Sequence, residues 1–122
     1  MPSGDCTVRI QNSTSTHEDL TLVDFGVTNG AWSQSPPGTV ASGASSGNFQ
    51  VTYNFNSPNN STFYMRYRIA SEGIPYTASG SFDLDSHNQV VLSWGGAGPG
   101  NHQVTAVISG AAPHFMAIFT FV

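Results

Sequence analysis

Phe49-Gln50-Val51-Thr52-Tyr53-Asn54-Phe55 alternates strictly, with apolar side chains on one face and neutral polar ones on the other. A period of two belongs to extended backbone, so this stretch predicts a strand with one buried face. The same period recurs on both sides of it. Cys6-Val8-Ile10 alternates with Thr7-Arg9-Gln11, and Phe63-Met65-Tyr67-Ile69 with Tyr64-Arg66-Arg68. Further strands are expected over Leu20–Val27, Ser79–Leu84, Gln89–Trp94 and Gln103–Ser109. Phe115–Val122 is apolar on both faces, as a central strand covered on both sides would be.

Turn signals separate these segments: Asn29-Gly30, Ser35-Pro36-Pro37-Gly38, Ser57-Pro58-Asn59, the glycine run Gly95–Gly100 and Ala112-Pro113. The Gly/Ser stretch Gly38–Gly47 reads as a connection between sheets. No window free of Gly and Pro sustains a 3.6-residue apolar period. The pattern predicts an all-β chain, an antiparallel β-sandwich of roughly eight to nine short strands forming one domain over residues 1–122.

Charge is scarce. Seven acids and three arginines are the only charged side chains among 122 residues, 8% of the chain, and lysine is absent. About a quarter would be ordinary. A surface built from Ser, Thr, Asn, Gln and Gly recognises partners by hydrogen bonds and apolar contact, which favours lipid headgroups, sugars or protein surfaces. With three scattered cations there is no basic stripe to neutralise phosphates, so nucleic acid is not an expected partner. One cysteine, Cys6, excludes an internal disulfide framework. No apolar stretch has the length of a signal peptide or a membrane-spanning helix. The expectation is synthesis in the cytoplasm, followed by release and action on target-cell membranes. The sequons at Asn12, Asn59 and Asn60 then read as polar turns.

Catalytic patterns fail on context. Gly43-Ala44-Ser45-Ser46-Gly47 has the letters of a nucleophile elbow, but a loop precedes it and a strand follows, where that chemistry needs strand, serine, helix. The run Gly95–Gly100 lacks the lysine of a phosphate-binding loop and reads as a flexible loop tip. Asp83, Asp85 and His87, at i, i+2, i+4, would project to one side of an extended chain and could hold a divalent cation; the same residues also suit a solvated turn. No metal, cofactor or enzymatic activity is expected.

Two sets of residues carry binding chemistry. Arg66 and Arg68 lie two apart on one strand face beside Tyr64, suited either to a phosphate headgroup or to cross-strand acids. Trp32, Tyr76 and Trp94 fall in or beside turn-rich segments, where rings insert into membrane interfaces or stack on sugars. For Trp32 the alternative is a plug at one end of the sandwich. The candidate lipid or glycan site is therefore Trp32, Tyr64, Arg66, Arg68, Tyr76, Asp83, Asp85 and Trp94.

The order of features supplies a family reading. A strand Thr7–Gln11, a polar turn and Leu20-x-Leu22 are followed by Gly30-Ala31-Trp32-Ser33 with a proline soon after. A Gly/Ser connection then leads into Phe49, and the aromatic strand Phe63–Ile69 completes the pattern. Gly80-Ser81-Phe82-Asp83 and the glycine loop before His102–Ser109 extend it. This order resembles the aegerolysin family, in particular the small component of bacterial two-protein insecticidal toxins. The resemblance implies a β-sandwich that binds membrane lipids, often sphingolipids, and forms pores with a second, larger protein. Homo-oligomerisation would strengthen attachment. Two other readings fit the residues: a carbohydrate-binding lectin, and a structural β-protein assembling through uncharged sheet edges.

Overall fold

The computed structural model describes residues 2–122 as ten strands with no helix among them. They are β1 (Ser3–Asn12), β2 (Leu20–Thr28), β3 (Gly30–Gln34), β4 (Thr39–Val40) and β5 (Phe49–Asn54), then β6 (Ser61–Ile69), β7 (Tyr76–Leu84), β8 (Val90–Ala97), β9 (Val104–Ala111) and β10 (His114–Phe121). One five-stranded sheet has the order β3-β5-β1-β10-β9, the other β4-β2-β6-β7-β8. All pairings are antiparallel except β1 with β10, which run parallel at the centre of the first sheet. The expected all-β sandwich is what forms.

Two of the ten strands lie where the sequence reads as loop. β3 holds Trp32 and β4 is a two-residue edge piece after Pro36-Pro37. Gly/Pro-rich flanks hide short strands from a pattern reading. Asn29-Gly30 is also not a hairpin turn. It is a corner at which the chain leaves the second sheet and enters the first, with Asn29 at φ 50° and its amide donating to Asn60 O at 2.7 Å. Asparagine tolerates this left-handed backbone better than most residues.

The core comes from the inward residues of both sheets. Val8 and Ile10, Val51 and Tyr53, and Ala117 and Phe119 meet Phe63, Met65, Tyr67, Ala78 and Phe82. The alternation that defined the strands thus decides which side chains are buried. β10 departs from expectation. Phe115, Ala117, Phe119 and Phe121 are buried, but Met116, Ile118 and Thr120 are only half-buried, since nothing lies over the outer face of the sheet.

A buried asparagine locks the start of the sandwich. Asn12 donates to Glu18 O (2.8 Å) and Val40 O (3.0 Å), and accepts from Thr14 N (3.2 Å) and its hydroxyl (2.9 Å). It thereby ties β1 to the edge strand of the opposite sheet, in a place where glycosylation has no room. Asn12→Ala should lower unfolding stability by about 2–4 kcal/mol, because buried backbone groups lose their partners. A urea midpoint unchanged by the substitution would refute this role for Asn12.

Candidate functional site

Tyr64, Arg66 and Arg68 do share the outer face of β6, where Arg66 stands opposite Asp24 of β2 and Arg68 opposite Thr21. The Arg66 guanidinium forms a two-pronged ion pair with the Asp24 carboxylate and lies over the Tyr64 ring, 5.7 Å from its centroid. Its fork is therefore already occupied. Arg68 is exposed, and among the described residues it makes no ion pair. The two arginines do not form a paired phosphate fork; the cross-strand acid is the arrangement realised. The hydrogen bond from Arg66 holds the Asp24 carboxyl below the usual carboxylate range.

Asp83, Asp85 and His87 do not converge. Asp83 lies on β7 and accepts from the Ser81 hydroxyl at 2.9 Å. Asp85 closes a turn, accepting from His87 N (2.8 Å) and Gln89 N (2.9 Å), with Asn88 at φ 59°. Among the described residues no three His, Cys, Asp or Glu side chains group as metal ligands would. Ser45, at the centre of the elbow-like motif, only bridges to Gln11 and is followed by no helix. Cys6 is buried, and desolvation pushes its thiol up to about 12, so it stays protonated.

The three aromatic candidates fare differently. Trp32 faces inward, half-buried, with its ring centroid 5.7–6.1 Å from those of Phe63, Phe49 and Phe25. It plugs the sandwich, and its Nε1 is buried without a partner among the described residues. Tyr76 opens β7 instead of sitting in a loop, and is fully buried. Its ring packs edge-on to His102 and its hydroxyl reaches Glu72 at 3.4 Å. Only Trp94 stays substantially exposed, at 43%. It does not end its strand: β8 continues through Gly95, Gly96 and Ala97, paired with Ser79, Ala78 and Thr77. Gly95 and Gly96 are therefore strand positions, while Gly98 and Gly100 lie in the connection that the sequence leads one to expect. A side chain at Gly96 would stand 2.8 Å from Val104 of β9, so glycine lets the two sheets approach there.

The surface that stands out involves residues outside the predicted set. No Asp, Glu, Lys or Arg follows Asp85 in the sequence, so β8, β9 and β10 carry no formal charge. β8 and β9 are the edge strands of the two sheets, and they lie against each other on the same side of the sandwich. The exposed large apolar side chains of these two strands are Trp94, Val91 at 44% and Val107 at 70%; by alternation Val91 and Val107 stand on the outer faces of different sheets, on either side of this rim. Both strands run eight residues without a proline, charge or register shift. The opposite edges are blunted, β4 by being two residues long and β3 by a shift between Trp32 and Gln34. The signal in the sequence was the position of the last charge, which a count of charges conceals.

No family model matches the chain, and no curated protein matches its sequence. Its fold is similar to the crystal structure of the lipid binding protein Nakanori. The TM-score is 0.64 at 11% identity, over 97% of this chain and 70% of that one. At that identity the likeness establishes the shared sandwich and does not single out the aegerolysin family.

The lowered carboxyls make an acid-side prediction. Asp24, and Glu18 held by the hydroxyls of Ser71 and Thr16, titrate below their unfolded values. Each contributes stability at neutral pH that is lost as pH falls through its folded value, below about pH 4. Asp24→Asn should therefore lose less stability than the parent between pH 7 and pH 3. Parallel urea-midpoint profiles for the two proteins would contradict the assignment.

Proposed function

We propose that this chain is a non-enzymatic protein that binds membrane lipid through the β8/β9 side of its sandwich. The observation that carries the reading is the pair of adjacent edge strands itself: uncharged, long and unguarded, with Trp94 at the rim and Val91 and Val107 flanking it on the two outer faces. The fold likeness to a protein described as lipid binding supports it. The finer reading is an aegerolysin-type cytolysin or toxin component, with sphingolipid as target and a larger protein as partner in pore formation. That reading rests on the sequence resemblance.

Energetics set a limit on a single molecule. Burying a whole apolar side chain contributes about 1.5–3 kcal/mol, and the three exposed side chains are already partly covered. One copy thus gains on the order of 4 kcal/mol, a dissociation constant of about 1 mM. Firm attachment requires several copies acting together.

Trp94→Ala combined with Val107→Asp should abolish sedimentation with sphingolipid-containing liposomes while leaving the thermal midpoint within a few degrees. Trp32 is unsuited to this test, since its removal would open the core. Undiminished liposome binding by the double variant would sink the proposal. Binding blocked by a free monosaccharide would favour a lectin in its place.

A further inference from the structure

The gap between the edge strands widens towards the Asp85–Gln89 turn into a cleft of about 790 Å³. Val90 and Leu92 of β8, Ile108 of β9 and Phe115 of β10 line it, and Tyr53 reaches it from β5. No Asp, Glu, Lys or Arg lines it. Such a volume is within the range of roughly 300–1,000 Å³ in which proteins enclose small ligands.

Tyr53 distinguishes this cleft from a mere gap in packing. The residue is 99% buried, with its ring stacked on Phe82 at 4.5 Å. Its hydroxyl has no hydrogen-bond partner among the described residues; it is not fully sealed, and keeps a small water-accessible area in a residue that lines the cleft. A donor that only water can satisfy is a place where a ligand oxygen can take the water's position. Burial, and after it the nearby Asp5 carboxylate, push the phenol's pKa up, so at neutral pH the group is a donor seeking an acceptor. The same carboxylate disfavours an anionic head group.

We infer that the cleft between β8 and β9 holds the hydrocarbon chain of a neutral single-chain amphiphile, whose oxygen accepts a hydrogen bond from Tyr53. A slot bounded by two neighbouring strands suits a linear chain: Val90, Leu92, Ile108 and Phe115 offer apolar contact, and the neutral polar groups of Tyr53, Ser3, Asn88 and Gln89 also line it. The inference rests on the lipid-binding reading for its biological sense, but the site can be tested without a membrane.

The test uses 1-decanol, dissolved as monomer, titrated into the whole protein and followed by amide chemical shifts. The expected result is saturable binding with shifts centred on Val90–Leu92, Ile108–Ala111 and Phe115. Tyr53→Phe should weaken binding about five- to tenfold, the loss of one hydrogen bond. Ile108→Trp should fill the slot and abolish it. If Ile108→Trp fails to fold, Tyr53→Phe and the shift map decide. Decanoate should bind more weakly than decanol; equal affinity would overturn the preference for a neutral head. Absence of decanol binding, or shifts away from the slot, would overturn the site. Liposome sedimentation of the unaltered protein is run in parallel. Liposome binding without decanol binding refutes the cleft alone; decanol binding without liposome binding refutes the membrane reading and leaves a carrier of monomeric amphiphiles.

Discussion

One layer of aromatic rings between the sheets governs the rest of the molecule. Tyr53 stacks on Phe82, Phe63 meets both Phe82 and Phe119, and Tyr67 meets Phe121, each pair within 6.4 Å between centroids. Except for Phe63 with Phe82, these pairs join one sheet to the other, so a single layer supplies both the core and the cohesion of the sandwich. The layer dictates what its neighbours can be. A side chain at Gly80 would fall 2.4 Å from the Phe63 ring, so that position has to be glycine. Trp94 stands opposite Gly80 on β8. With the interior beside it already filled by Phe63, its ring is left at the rim. The apolar side of the molecule is thus a product of how its core is filled.

The same constraint shapes the charge distribution. β2 and β6 offer outer faces to water, and there charge can be paired, as Asp24 is with Arg66. β8 and β9 each leave one edge without a strand partner and carry no charged side chains. Sheet proteins usually protect such edges with lysine, proline or a bulge. Here β3 and β4 follow that rule while β8 and β9 do not, and this contrast within one molecule is what the proposed lipid-binding side rests on.

Eight of the strands were legible, β10 as a continuous apolar run and the others by period two, because burial of one face leaves a mark at every second residue, as in Phe49–Phe55. Alternation missed β3 and β4, whose short spans are interrupted by Gly and Pro. Strand faces were legible too: Tyr64, Arg66 and Arg68 share one. Partners across strands were not, because pairing β2 with β6 is a long-range fact, and with it Arg66 changes from a candidate phosphate ligand to a neighbour of Asp24. Trp32 and Tyr76 were misplaced for a related reason. Adjacent Pro and Gly signal a loop locally, whereas the depth of a ring depends on what the opposite sheet leaves vacant.

On the lipid-binding reading, the unpaired backbone of β8 and β9 limits how deep that side can go. Hydrocarbon satisfies no N–H or C=O group, and each one left bare there costs several kcal/mol. Water and headgroups satisfy them at the interface, so a single copy is held at headgroup depth, with Trp94 and Val107 as its apolar contacts. Pairing an edge with the edge of another copy would remove that cost and allow deeper burial of the same strands. Shallow attachment and assembly are then coupled through one set of hydrogen bonds, because the membrane concentrates copies whose edges lack a strand partner until they meet. An edge defended by lysine would break this coupling, since its charge would oppose both strand pairing and entry. The absence of lysine from the chain removes that barrier to both steps.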